Sequence, residues 1–109
     1  KTHPRDTRTL YVDNGFNVDE NSSVPWEAIQ LSGKFDDKVF MTINSGSVLS
    51  GSLMSKNKVK TFYMYKMCDY KGNESCQKNV IDIEALLKNS NMKSIFNNVQ
   101  VAEKIEDIL

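Results

Sequence analysis

The stretch KVKTFYMYKMC, residues 58–68, carries the clearest strand pattern in this chain. Its residues alternate with a period of two, which is the periodicity of a β-strand. One face collects Val59, Thr61, Tyr63, Tyr65 and Met67, and the other collects Lys58, Lys60, Phe62, Met64 and Lys66. The stretch therefore predicts a strand with one apolar face and one face of lysines around an aromatic ring.

The segment CDYKGNESC follows directly, and it begins and ends with the chain's two cysteines, Cys68 and Cys76. A Gly-Asn pair at 72–73 supplies residue types that tolerate the positive φ of a tight turn. NVIDI at 79–83 then alternates like a returning strand. These features predict an antiparallel hairpin closed by a disulfide, which would stabilise the fold by roughly 2–3 kcal/mol in the chain-entropy model.

Two other states of the cysteines stay open, namely two free thiols and a metal site. A zinc site needs four ligands, or three and a water. The only histidine is His3, far from the cysteines in the sequence. The disulfide is therefore favoured over free thiols, metal binding is the least favoured state, and no cofactor is expected.

Stretches on both sides extend this pattern. KVFMTIN at 38–44 alternates like a strand, and SGSVLSGSLMS at 45–55 fits either a flexible linker or, preferably, a further strand after a tight turn. The period becomes helical at 82–89 and again at 101–109, where Val101, Ile105, Ile108 and Leu109 share one face. The sequence thus predicts the α+β class, with a small antiparallel sheet of about four strands followed by C-terminal helices packed on one face.

Length and composition indicate a single domain over residues 1–109. The chain has 109 residues, of which 39% are hydrophobic and 26% charged, as is typical of globular domains. Residues 1–25 are polar and contain both prolines, which predicts an extended arm or loops, with a short edge strand at 9–12. Trp26 follows as a candidate core anchor. The chain lacks an initial Met, which suggests a piece of a longer protein, and no apolar run is long enough for a transmembrane segment.

The charges are balanced overall but not locally. The formal net charge is zero. Residues 56–78 contain six lysines against Asp69 and Glu74, whereas residues 1–37 and 79–109 are both net acidic. A basic segment of this kind can bind a polyanion such as RNA or a sulfated glycan, or an acidic protein surface.

Two N-x-S sequons favour an extracytoplasmic location. Asn21 and Asn73 both lie in predicted surface loops and are candidate glycosylation sites. Together with the expected disulfide they predict a secreted or surface glycoprotein, with an intracellular location as the alternative.

The sequence argues against an enzyme. A nucleophile–base pair would have to use His3 in the polar arm, and the adjacent acids at 19–20 and 36–37 fall in turn-like segments typical of solvated surface. No phosphate-binding glycine motif is present. We therefore expect no catalytic residues.

These observations favour a non-catalytic binding domain that recognises another macromolecule, most readily a protein. The cysteine loop would present Tyr65, Lys66, Tyr70 and Lys71 to that partner. The alternative is an intracellular module that binds RNA or another polyanion through Lys58, Lys60, Phe62 and Lys66, with charge for affinity and the ring for stacking.

Overall fold

The computed structural model describes residues 7–19, 23–33, 35, 37–54 and 59–109. These residues form five α-helices, three short strands and two 3-10 turns. In chain order the elements are α1 (Leu10–Asp13), α2 (Trp26–Ser32), β1 (Val39–Thr42), α3 (Ser47–Met54), β2 (Lys60–Tyr63), a 3-10 turn (Tyr65–Met67), α4 (Glu74–Lys88), α5 (Ser90–Lys93), β3 (Val99–Val101) and a second 3-10 turn (Ile105–Asp107).

The three strands form an all-parallel sheet in the order β1-β2-β3. The mixture of helices and strands was predicted correctly, but the antiparallel sheet of about four strands is wrong. Parallel neighbours need a crossover connection, and both connections here contain helices. The first passes through α3, and the second passes through α4 and α5. The parallel direction of the strands therefore goes with the helices in the two connections, of which the sequence pattern predicted only the part of α4 within 82–89.

Residues 79–83 were predicted as the returning strand of a hairpin, and this prediction is wrong. They belong to α4, not to a returning strand. Asn73 caps this helix, because its side chain accepts a hydrogen bond from the Cys76 backbone N–H at 2.9 Å. Its buried residues follow the helical spacing, with Cys76, Val80 and Ile83 on the core side. A run as short as NVIDI satisfies both periods, and the cap and the long helical pattern favour the helix.

Other segments also differ from expectation. The predicted strand at 58–68 is reduced to β2, since the chain turns into a 3-10 helix at Tyr65. Residues 47–54 form α3, residues 10–13 form α1 in place of an edge strand, and residues 101–109 do not form one helix. Leu109 on the proposed C-terminal helix face is 93% exposed. The prediction at 38–44 is confirmed by β1.

One face of the sheet carries the core. In parallel register Phe40, Thr61 and Val99 lie side by side, and the next residue of each strand points to the opposite face. Val48 of α3 and Val80 of α4 belong to the same buried cluster as Phe40. Both helices therefore pack on this face. The opposite face is only partly covered, because Met41 is 53% exposed whereas Phe62 on the central strand is 4% exposed.

An aromatic cluster joins α2 to this core. Trp26, the candidate core anchor, has its ring 5.3 Å from that of Phe40 in an edge-on arrangement, and Phe35 lies 5.8 Å from both rings. Gly51 of α3 lies against the same cluster. A Cβ at Gly51 would lie 2.9 Å from the Phe40 ring and 2.6 Å from the Gln30 amide nitrogen. The close approach of α3 to β1 and α2 thus requires glycine at this position.

We predict that Gly51→Ala destabilises the protein by about 1–2 kcal/mol. Alanine gains about 1 kcal/mol of helix propensity. Its Cβ would lie closer than 3.0 Å to both Phe40 and Gln30, so overpacking should cost about 2–3 kcal/mol, the upper part of the usual range. Urea unfolding followed by circular dichroism measures the difference. Gly72→Ala is the matched control, because nothing lies within 4 Å of an added Cβ there. A Gly51→Ala protein as stable as the control would contradict this packing.

The side chain of Asn98 connects three elements at the amino ends of β2 and β3. Its Oδ1 accepts a hydrogen bond from the fully buried Ser52 hydroxyl of α3 at 2.6 Å, and its Nδ2 donates to the carbonyl of Val59. Its backbone carbonyl accepts the Thr61 N–H at 3.1 Å. One residue therefore joins the end of α3, the entry to β2 and the entry to β3.

We predict that Asn98→Ala lowers the free energy of unfolding by about 2–3 kcal/mol, because two side-chain hydrogen bonds to largely buried partners are lost. Asn97→Ala is the control, since Asn97 is adjacent but exposed. Equilibrium urea denaturation of both variants gives the comparison. Equal midpoints for the two alanine variants would show that the Asn98 side chain is not a structural connector.

Candidate functional site

Two open clefts lie at the carboxyl edge of the sheet, where loops leave the ends of the parallel strands. This edge is the usual position of ligand sites in open parallel sheets. The amide cleft, of about 560 Å³, is formed by residues 44–46 and Leu49 after β1 and by Asn79, Asp82, Ile83 and Leu86 of α4. The lysine cleft, of about 710 Å³, is formed by residues 66–71 after β2 and by Glu103 after β3.

One aromatic residue, Tyr70, lines the lysine cleft, and the buried Tyr65 packs against it. Tyr65 begins the 3-10 turn after β2 and is 1% exposed. Its hydroxyl donates a hydrogen bond to Glu84 of α4 at 3.2 Å. Burial, with a smaller contribution from the nearby Glu84 carboxylate, raises the pKa of Tyr65 to about 12, so the phenol stays protonated at neutral pH. Tyr70 packs edge-on against it at 6.2 Å and is half-buried at the cleft.

The rim of the lysine cleft carries both signs of charge. Lys66 donates a hydrogen bond to Glu103, and this contact raises the pKa of the Lys66 ammonium. Lys71 is exposed, and its backbone N–H donates to the Asp69 carboxylate at 3.2 Å. The Lys66–Glu103 pair is exposed to solvent, so it contributes little to stability. It places one positive and one negative group at the rim of the cleft, near Tyr70.

The structure brings together three of the four residues expected to contact a protein partner. Lys66, Tyr70 and Lys71 line one cleft, and Tyr65 supports them from below. The alternative set for polyanion binding is not assembled in the same way. Lys60 is exposed at the start of β2, the Phe62 ring is buried, and Lys58 lies outside the described residues. The buried ring offers no surface for base stacking.

The predicted disulfide between Cys68 and Cys76 is wrong. Both cysteines are free: Cys68 is half-buried in the loop after the 3-10 turn, and Cys76 is buried in the first turns of α4. A disulfide across a hairpin needs two facing strands. The chain forms neither strand at these positions, because one cysteine follows a 3-10 turn and the other lies inside a helix.

The expectations that rested on this disulfide lose their basis. Nothing in the structure supports a secreted glycoprotein. Asn73 has a structural role as the cap of α4, and the side chain that would carry a glycan accepts the Cys76 N–H. The other sequon begins at Asn21, which lies outside the described residues.

The amide cleft was not foreseen from the sequence. Its loop is held from below by Tyr63, whose hydroxyl donates to the Ser45 carbonyl at 3.1 Å. Burial raises the pKa of Tyr63 to about 12, so this donor persists at neutral pH. Two signals were available in the sequence. A strand, an Asn-Ser-Gly turn and a helix follow one another at 39–54, and Asn79, Asp82 and Leu86 share one face at helical spacing.

No constellation for metal binding or membrane insertion is found in the part of the chain that the structure describes. Within it, no three side chains of His, Cys, Asp or Glu lie close enough to hold a metal ion. His3 lies outside that part. None of the described helices has the length and apolar character needed to span a bilayer.

Comparison with known proteins places the chain in no family, because no protein-family model matches it and no curated protein or solved structure is significantly similar to it.

We predict that both thiols can be alkylated without a reductant and at different rates. Cys68 should react first because it is partly exposed, and Cys76 should react only as α4 opens or the protein unfolds, because its sulfur is buried. Intact-mass spectrometry during labelling shows the two steps. The Cys68→Ser variant should lose the fast step alone. If alkylation raised the mass only after reduction, the two cysteines would form a disulfide and the free thiols would be wrong.

Proposed function

We propose that this protein is a non-catalytic binding domain that recognises a segment of another protein through the lysine cleft. The observation that carries this proposal is the placement of Lys66, Tyr70 and Lys71 in one open cleft together with Glu103 and Asp69. These residues come from two separate parts of the chain, and the ends of β2 and β3 position them.

The composition of the cleft is that of a protein-recognition surface. Tyrosine is among the residues that most often dominate binding energy at interfaces, because it supplies a large area with little conformational freedom to lose. Tyr70 is already held by its edge-on contact with Tyr65. A partner side chain that packs on Tyr70 would therefore bind a surface that needs little ordering.

The charges favour a protein over a polyanion. Two lysines face two carboxylates around the cleft, and Glu103 already accepts a hydrogen bond from Lys66. A phosphate or sulfate chain would meet the carboxylates of Asp69 and Glu103, and like charges in contact oppose binding. A peptide segment with one acidic and one apolar side chain can contact Lys71 and Tyr70 without that repulsion.

Selection from a displayed library of random short peptides on the immobilised protein tests the proposal. We expect enriched peptides to combine an acidic residue with an aromatic or aliphatic one. Fluorescence polarisation should show that Tyr70→Ala and Lys71→Ala each raise the Kd of such a peptide by about tenfold or more. Lys88→Ala is the matched control, because Lys88 is an exposed lysine at the end of α4 and does not line the cleft.

Three results would count against the proposal. Selection could enrich no peptide, or the enriched peptides could bind the cleft variants as tightly as the control. Heparin retention that falls steeply with salt and is lost in Lys60→Glu and Lys71→Glu, but not in Lys88→Glu, would instead identify a polyanion-binding protein.

A further inference from the structure

We propose that the amide cleft is a second binding site, and that it takes a small organic cation: a primary ammonium or guanidinium group attached to an apolar body. Its volume of about 560 Å³ lies in the range of small-molecule sites. This inference is independent of the lysine cleft, which shares none of its lining residues.

Three polar side chains line the amide cleft without an internal hydrogen-bond partner among the residues that the structure describes. They are Asn44 from the loop after β1, and Asn79 and Asp82 from consecutive turns of α4. Asn79 and Asp82 are three residues apart, so they lie on the same side of the helix. Together these groups supply two amides and one carboxylate to a bound molecule.

An apolar floor lies beside these polar groups. Ile83 of α4 is buried, and Leu49 and Leu86 are half-buried at the base of the cleft. Apolar walls with a few polar groups at defined points are the usual construction of a small-molecule site. The ligand should therefore combine a polar head with a short hydrocarbon part.

The charge of the cleft favours a positively charged ligand. Asp82 is the only charged side chain in the described lining, and a carboxylate accepts hydrogen bonds but donates none. The N-terminus of α3 also borders the cleft, but its backbone N–H groups do not form an anion site that would balance the Asp82 carboxylate. Ser45 Oγ accepts the Ser47 N–H at 3.3 Å, and the Leu49 N–H donates to the Gly46 carbonyl. A cationic donor is therefore the complementary head group.

The cleft is preformed. The Ser45 carbonyl accepts the buried Tyr63 hydroxyl, and the Ser45 N–H donates to Thr42 Oγ1 at 3.2 Å. The loop is thereby tied to the ends of both β1 and β2. The opposite wall is a capped helix whose inner face belongs to the core. Binding of a ligand would therefore cost little free energy for ordering the loop and the helix.

Titration of the ¹⁵N-labelled protein with three probes of matched length tests the proposal: pentylammonium, 1-pentanol and pentanoate. We expect saturable amide shifts confined to residues 44–49 and 79–86 with pentylammonium, weaker ones with the alcohol, and none with pentanoate. Asp82→Asn should weaken pentylammonium binding by about fivefold to tenfold and leave the alcohol nearly unaffected, because only the cation forms a charge-assisted hydrogen bond.

The matched control is Glu106→Gln, which removes one exposed carboxylate outside the cleft. Asp82 is exposed on α4, so the isosteric Asp82→Asn change should leave the fold intact, and the dispersed spectrum of each variant verifies this. Three outcomes would overturn the proposal: pentanoate binding as well as pentylammonium, shifts that spread over the surface without saturation, or equal effects of Asp82→Asn and Glu106→Gln.

Discussion

Asn98 stabilises the small sheet through three hydrogen bonds that join α3 to the amino ends of β2 and β3. Strands of three or four residues provide few backbone hydrogen bonds, and a small parallel sheet needs further contacts to fix its register. Asn98 provides them by joining Ser52 of α3, the Val59 carbonyl and the Thr61 N–H. These contacts fix the amino ends of β2 and β3, so the carboxyl ends and the two clefts are held at the opposite edge by a defined scaffold.

Two buried tyrosines connect the sheet to the residues that form the clefts. Tyr63 and Tyr65 belong to the main core cluster, and each uses its hydroxyl to hold a second element. Tyr63 bonds the loop of the amide cleft, whereas Tyr65 bonds α4 and supports Tyr70 of the lysine cleft. A buried phenol combines a large apolar area with one hydrogen bond at a fixed distance. Packing in the core and positioning of both clefts are thus performed by the same residues.

The two clefts have different chemistry although they share one edge of the sheet. The lysine cleft is lined by one tyrosine, Tyr70, and by side chains of both signs of charge, which is why we propose a peptide segment as its ligand. The amide cleft has an aliphatic floor and one carboxylate, which suits a small cation. The two clefts lie beside the ends of different strands. Asn79 and Asp82 of α4 line the amide cleft and not the lysine cleft. The two proposed sites therefore differ in the chemistry that each offers to a ligand.

Residue type and spacing were sufficient to predict several local features of the chain. These include the strand at β1, the helical pattern of 82–89, the packing of Trp26 against the core and the neighbouring positions of Lys66, Tyr70 and Lys71 in one loop. The strand, the helical pattern and the loop follow from contacts within a few residues of the chain, where side-chain periodicity and loop length already limit the conformation. Trp26 instead contacts the distant Phe40, and its packing was predicted from the large apolar area of its ring.

The direction of the strands, the separation of the cysteines and the existence of the amide cleft could not be predicted from residue patterns. Alternation shows which side chains share a face but carries no information on whether neighbouring strands run parallel. NVIDI fits both a strand and a helix, and the cap at Asn73 and the packing of Val80 and Ile83 favour the helix. That choice separates Cys68 from Cys76 and places Asp82 opposite Asn44. Contacts between residues so distant in sequence depend on how the helices pack on the sheet.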